Sequence, residues 1–138
     1  MPEPTPLDER YWFIEGRDAH FVDVPVPEFW NQLITGDVTD DVVKRVANTD
    51  GWLVSTYRMA ADMDSSEMHP EGDELHYLVS GRLDLVLEEG DGDRVLELTP
   101  GDSASVPKGV WHRFIVREPA LGIAITCGRG TEHRPLRD

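Results

Sequence analysis

The chain is expected to fold as a single all-β domain, a sandwich or barrel entered through a short helical region. Three observations carry this. Beyond Gly51, short runs rich in β-branched and apolar residues recur, turn-forming clusters separate them, and 138 residues suit one hydrophobic core. The runs cover residues 53–59, 66–69, 74–79, 82–88, 94–98, 103–106, 112–116 and 121–126. Between them lie Pro70-Glu71-Gly72-Asp73, Ser80-Gly81, Gly90-Asp91-Gly92-Asp93, Pro100-Gly101-Asp102 and Pro107-Lys108-Gly109, each with residues that preset or permit turn geometry. Asp91-Gly92, between Leu83-x-Leu85-x-Leu87 and Val95-Leu96, is the clearest hairpin signal. Strands this short and evenly spaced would close a jelly roll through two Greek keys.

The first fifty residues read differently. Alternating Pro2, Pro4 and Pro6 favour an extended, flexible arm over residues 1–9, leaving 10–138 as the folded domain. Residues 11–14 and 19–24 are plausible strands around a turn at Gly16. Residues 27–34 begin at Pro27 and stop before Gly36, the punctuation of a short helix. Residues 40–47 suit a helical turn or a strand equally, because Val42, Val43 and Val46 are β-branched.

Composition excludes several roles. Thirteen Lys and Arg against 27 Asp and Glu give a formal charge of −14, so phosphate backbones and anionic membranes are repelled. One cysteine, Cys127 in an apolar run, rules out an internal disulfide and reads as a packed thiol. No apolar run reaches membrane-spanning length, and the first residues lack the pattern of a signal peptide. A cytoplasmic protein is expected.

Two phrases carry chemistry: His69-x4-Glu74-x6-Gly81 and Gly101-x5-Pro107-x-Gly109-x2-His112. Residues two apart on a strand share a face. Glu67 therefore pairs with His69, Glu74 with His76 and Leu78, and His112 with Phe114 and Val116. If those faces line one interior, His69, Glu74 and His112 converge with Glu67 beside them. Imidazole and carboxylate suit a divalent metal such as Fe, Mn, Co, Ni or Zn, and the lack of thiolate argues against a structural zinc. His76 is the candidate for proton transfer, or the alternative to Glu67 as a ligand. Leu78 and Phe114 are candidate pocket walls, though core membership explains them equally well. Trp12, Trp30, Trp52 and Trp111 read as core or interface residues, and His20 and His133 carry no expected role. The tail from Gly128 to Pro135 reads as a solvated or edge-covering segment.

The two phrases resemble the paired motifs of the cupin superfamily, in a likeness covering about residues 51–126. The first motif is met by His69, Glu74 and Gly81, the second by Gly101, Pro107, Gly109 and His112. Ala61, Glu67 and Val116 stand where the motifs have Gly, His and Asn. The resemblance implies a double-stranded β-helix barrel, often homodimeric, with a divalent metal on three His and one Glu. Here Glu67 occupies the place of the missing His. Two His and two carboxylates would neutralise a divalent cation and favour harder Mn or Fe, with Zn, Ni or Co possible. The implied function is a metal-dependent enzyme of dioxygenase, isomerase or lyase type on a small organic molecule. The alternative is a non-catalytic module that binds or senses a small ligand.

Overall fold

The computed structural model describes residues 3–137. Strands β1 (Arg10–Glu15) and β2 (Phe21–Pro25) precede helices α1 (Val26–Thr35) and α2 (Asp41–Asn48). Then follow β3 (Gly51–Met59), β4 (Ser65–Met68), β5 (Glu74–Glu89), β6 (Gly92–Leu98), β7 (Ser103–Val106), β8 (Trp111–Thr126) and β9 (Glu132–Pro135). The predicted flexible arm begins outside the described residues. Closer to β1, the Pro6 carbonyl accepts from the Glu9 and Arg10 amides, which makes a turn.

Helix α1 carries Pro27 in its first turn and ends where Gly36, at φ 77°, donates its amide to the Gln32 carbonyl, a conformation that suits glycine. The ambiguous stretch after it is helical. Its signal is Asp40, an N-cap whose carboxylate accepts from the Val42 amide at 2.8 Å and the Val43 amide at 3.1 Å. The cap fixes the first turn, and burial of Val43 among Tyr11, Phe13, Val24 and Phe29 stabilises the rest. These residues form a small N-terminal core.

All nine strands belong to one curled antiparallel sheet, ordered β2-β1-β3-β8-β4-β9, with β5 pairing β6, β7 and β8. The predicted hairpin at Asp91-Gly92 is present with its loop one residue earlier, since Glu89 faces Gly92 across β5 and β6. Sixteen-residue β5 and β8 pair along almost their whole length and form the spine. Their inward side chains, with Leu78, Leu83, Leu85, Leu87 and Phe114 buried, make the barrel core with Leu98 and Val106.

Two expected breaks are not breaks. In sequence, Ser80-Gly81 marks a turn between two runs, and residues 117–120 lie between two others. Instead both strands run through, with register irregularities from Leu78 to Leu83. Gly81 sits at φ 85°, and a Cβ there would lie 2.2 Å from the Pro119 carbonyl oxygen. The glycine makes a β-bulge that bends β5 opposite Pro119, a residue with no amide to give the ladder.

The tail covers an edge, as expected. β9 pairs with β4 and places His133 opposite Glu67. It is fastened by Glu88, a buried carboxylate bonded to Ser66, to Arg134 at 2.8 Å and to Arg137 at 3.3 Å. Arg134 also lies 4.2 Å over the Trp111 ring.

The two motif glycines should separate strain from crowding. Gly81→Ala combines a left-handed backbone with a backbone clash and is expected to cost about 3 kcal/mol in urea unfolding. Gly109, at φ 79° with open space around it, should cost only about 1 kcal/mol as Gly109→Ala. Equal losses at the two positions would contradict this account of the bulge.

Candidate metal centre

Three strands meet at the open end of the barrel spine. Glu74 is the first residue of β5 and faces Val106 of β7 and Thr126 of β8. His112, near the start of β8, faces Glu67 of β4 and Leu87 of β5. His69 follows β4 directly, and its carbonyl accepts from the Gly109 amide at 3.0 Å. Asp73 accepts from the Lys108 amide at 2.7 Å. The Pro107-Lys108-Gly109 turn is thereby pinned to the loop that carries His69. This is why the two phrases, far apart in sequence, deliver their histidines to one place.

The side chains converge on the Glu74 carboxylate. His69 Nε2 lies 3.0 Å from Oε2, His112 Nε2 lies 3.2 Å from Oε1, and His76 Nε2 lies 2.5 Å from Oε1. All four residues are buried. Glu67 is half-buried at the rim, with one oxygen 3.9 Å from His112 Nε2 and the other 3.6 Å from His133 Nε2. Arg58 is engaged by Asp8, and Arg113 by Glu88 with Asp93. Two groups of donor atoms close enough to share an ion result: Glu67, His69 and His112, and Glu74, His76 and His112.

Hydrogen bonds around the cluster fix its protons. Thr131 donates to the Gly128 carbonyl at 2.6 Å, so its oxygen accepts from His69 Nδ1 at 2.8 Å. His69 therefore carries its proton on Nδ1 and turns the lone pair of Nε2 inward, where that buried nitrogen has no hydrogen-bond partner. His112 Nδ1 donates to the Val110 carbonyl at 3.2 Å, which likewise aims Nε2 at the carboxylate. His76 Nε2 donates to Glu74, and Thr126 donates to the other Glu74 oxygen at 2.6 Å. Glu74 is thus clamped by His76 and Thr126, and His69 by Thr131. Such partners orient metal ligands and raise their basicity.

Lone pairs facing a carboxylate at 3.0–3.2 Å repel unless positive charge lies between them. The electrostatics agree. Burial alone would push the Glu74 carboxyl up, but the hydrogen bond from His76 and the imidazoles of His112 and His69 gathered around it outweigh burial and hold the group far below the usual range. Burial alone would push His112 down, yet its hydrogen bond and attraction to Glu74 raise it. A proton on His112 or a divalent cation meets the same need, and the oxygen and nitrogen donors fit the cation.

Leu78 and Phe114 are both buried in the barrel core, with Phe114 edge-on to His76 at 4.8 Å. Val116 is only half-buried, and the Val116 amide bonds Asp62. Sequence reasoning missed four residues. Thr126 shares the inward face of Ala124 and Gly122, so strand parity held a signal for it. Tyr57 shares the inward face of Ser55 and was equally legible; it stacks on Phe114 at 5.7 Å. Thr131 and His133 lie outside any motif, and only the return of the tail along β4 places them.

Comparisons with known proteins agree with this architecture. The profile of the cupin domain matches residues 55–126, just over half of the chain. No curated protein matches by sequence. Among solved structures, an uncharacterised conserved protein with a double-stranded β-helix domain from Klebsiella pneumoniae aligns with TM-score 0.51. Identity is 20%, over 64% of this chain and 76% of that one. An oxalate oxidase in complex with the substrate analogue glycolate aligns with TM-score 0.51 and 13% identity, over 59% of this chain and 45% of that one. A cupin-2 domain protein from Shewanella frigidimarina gives TM-score 0.49 and 18% identity, over 55% and 70%. At these identities the Klebsiella pneumoniae protein and the oxalate oxidase speak for the fold alone. With the motif spacing, the curled β5–β8 spine and the domain match in agreement, the chain is a member of the cupin family.

Proposed function

We propose that the protein is a metal-dependent enzyme of dioxygenase, isomerase or lyase type that acts on a small polar or aromatic molecule. The observation that carries this reading is the inward aim of the His69 and His112 Nε2 atoms at the buried Glu74 carboxylate. His69, Glu74 and His112 are the proposed ligands, with Glu67 completing the set from the rim. Mn(II) or Fe(II) is favoured over Zn, Ni or Co, because two carboxylates make the donor set hard and neutralise a divalent ion. The bound ion would polarise and orient the oxygens of the substrate.

The remaining residues have definite tasks in this scheme. Glu74 accepts from His76 Nε2, so His76 Nδ1 is the free nitrogen that takes a proton from a bound molecule. Phe114 and Leu78 exclude water from the chamber. His133, half a strand outside, keeps Glu67 turned toward the site. Among the described residues no helix is long and apolar enough to cross a membrane, and a cytoplasmic location is proposed on composition. A homodimer is proposed as well. Leu75, Tyr77 and Val79 are each about two-fifths exposed on the outward face of β5, a row of apolar side chains left facing water.

Protein purified without an affinity-metal column should hold close to one Mn or Fe per chain by elemental analysis. Stoichiometric copper would contradict the donor-set argument. Oxygen uptake with catechol or keto-acid panels, abolished by a chelator, is the result expected of the enzyme; chelator-insensitive ligand binding without turnover would favour a binding module.

Thr131→Val should lower Mn(II) affinity roughly 10- to 100-fold in calorimetry by freeing His69 to change tautomer, while the circular dichroism spectrum stays unchanged. Metal affinity should also fall as pH drops, because protons compete with the ion for the imidazoles, and His112, raised by Glu74, gains its proton early in that fall. Light scattering should report a dimer that Tyr77→Glu converts to monomer; a monomeric parent would remove the dimer proposal.

A further inference from the structure

Tyr57 presents a hydroxyl that the fold does not use. The oxygen is sealed from solvent and has no hydrogen-bond partner. Leaving such a group unsatisfied is costly, and isolated cases in native proteins call for an explanation. Nothing about the ring itself is loose. It stacks on Phe114 at 5.7 Å and 30°, and meets His76 edge-on at 5.6 Å. Beneath it, Gly122 of β8 leaves the recess that the phenol end occupies. A Cβ at that glycine would lie 2.2 Å from the Tyr57 Cζ and 2.4 Å from its hydroxyl oxygen. Any other residue would evict the hydroxyl from its place.

A second buried atom without a partner lies on the adjoining ring. His76 spends Nε2 on Glu74 and keeps Nδ1 unbonded. The wall beside the metal centre thus holds one free donor, the Tyr57 O–H, and one free acceptor, the His76 Nδ1. The two rings touch one another, and His76 touches the carboxylate at the heart of the cluster. The group that answers both is a hydroxyl, whose oxygen accepts and whose hydrogen donates.

We infer that Tyr57 is a ligand-orienting residue, and that with His76 it selects molecules carrying a hydroxyl next to the oxygen that the metal holds. The inference rests on the metal-centre reading and names the ligand class for it: hydroxy acids and related vicinal oxygen compounds, rather than simple carboxylates. Tyr57 acts here as a neutral donor and forms no bond with the ligand other than a hydrogen bond. A site built with a polar partner rejects the analogue lacking the matching group more strongly than an apolar pocket discriminates by size.

The test uses full-length protein loaded with Mn(II), titrated calorimetrically with lactate and with propionate, which differ by the one hydroxyl. Lactate should bind at least about tenfold more tightly, the worth of one or two good hydrogen bonds. In Tyr57→Phe the preference should fall to about twofold or less, with Mn(II) affinity unchanged. The melting temperature of Tyr57→Phe without either acid should equal or exceed that of the parent, since the change removes an unsatisfied group from the interior. Equal binding of the two acids, binding of neither, or a lactate preference that survives the substitution would overturn the inference and leave the metal centre standing. So would a lower melting temperature for the variant, which would mean that the hydroxyl serves the fold. A chain that takes up no Mn(II) or Fe(II) would instead remove the metal-centre reading beneath it.

Discussion

A single buried carboxylate organises this molecule. Glu74 begins one of the two longest strands, is buried, and collects three imidazole nitrogens and a threonine hydroxyl within about hydrogen-bond distance. A bare carboxylate in that position would be expensive, and the hydrogen bonds from His76 and Thr126 help to make burial tolerable. The consequence runs outward. Because Glu74 must be met from β4, β5 and β8 at once, the pairing of β5 with β8 and the docking of the Pro107–Gly109 turn on His69 are both needed to assemble it.

The surrounding structure divides into parts that place ligands and parts that hold them still. The β5–β8 spine places Glu74, His76 and His112 by register alone, and its apolar inward residues would pack whether or not any ion were bound. Holding still falls to less conspicuous groups. Thr131 sets the tautomer of His69, the Val110 carbonyl that of His112, and Thr126 with His76 the pose of Glu74. The tail matters for this reason. β9 carries no ligand of the proposed set, yet its attachment through Glu88, Arg134 and Arg137 brings Thr131 and His133 to the rim.

The exposed acidic surface is a separate matter from the site. Most of the 27 acids lie at the surface, whereas Glu74 and Glu88 are buried within networks of cationic or hydrogen-donating partners. Charge counting alone does not distinguish them. Position along a strand does: Glu74 is in phase with buried Leu78, and Glu88 lies on the face opposite Leu85 and Leu87, where Ser66 and Arg134 meet it.

The chain by itself determined the β-class, the barrel strands apart from the two breaks within β5 and β8, the helix ending at Gly36, and the strand faces that Glu67, Glu74 and His112 share with their neighbours. Those features are local: strand parity assigns faces, and glycine and proline mark turns through their own backbone limits. Only the tertiary structure decided that Ser80-Gly81 is a bulge inside one strand, since the bend depends on Pro119 approaching from β8. Residues 40–47 became a helix because Asp40 caps it and Val43 finds a core, where valine propensity alone left two answers. Thr131 and His133 gained their places from a tail that pairs with β4 some 65 residues earlier. Pairing over that separation is set by packing and long-range hydrogen bonds, and no local pattern in the sequence encodes it.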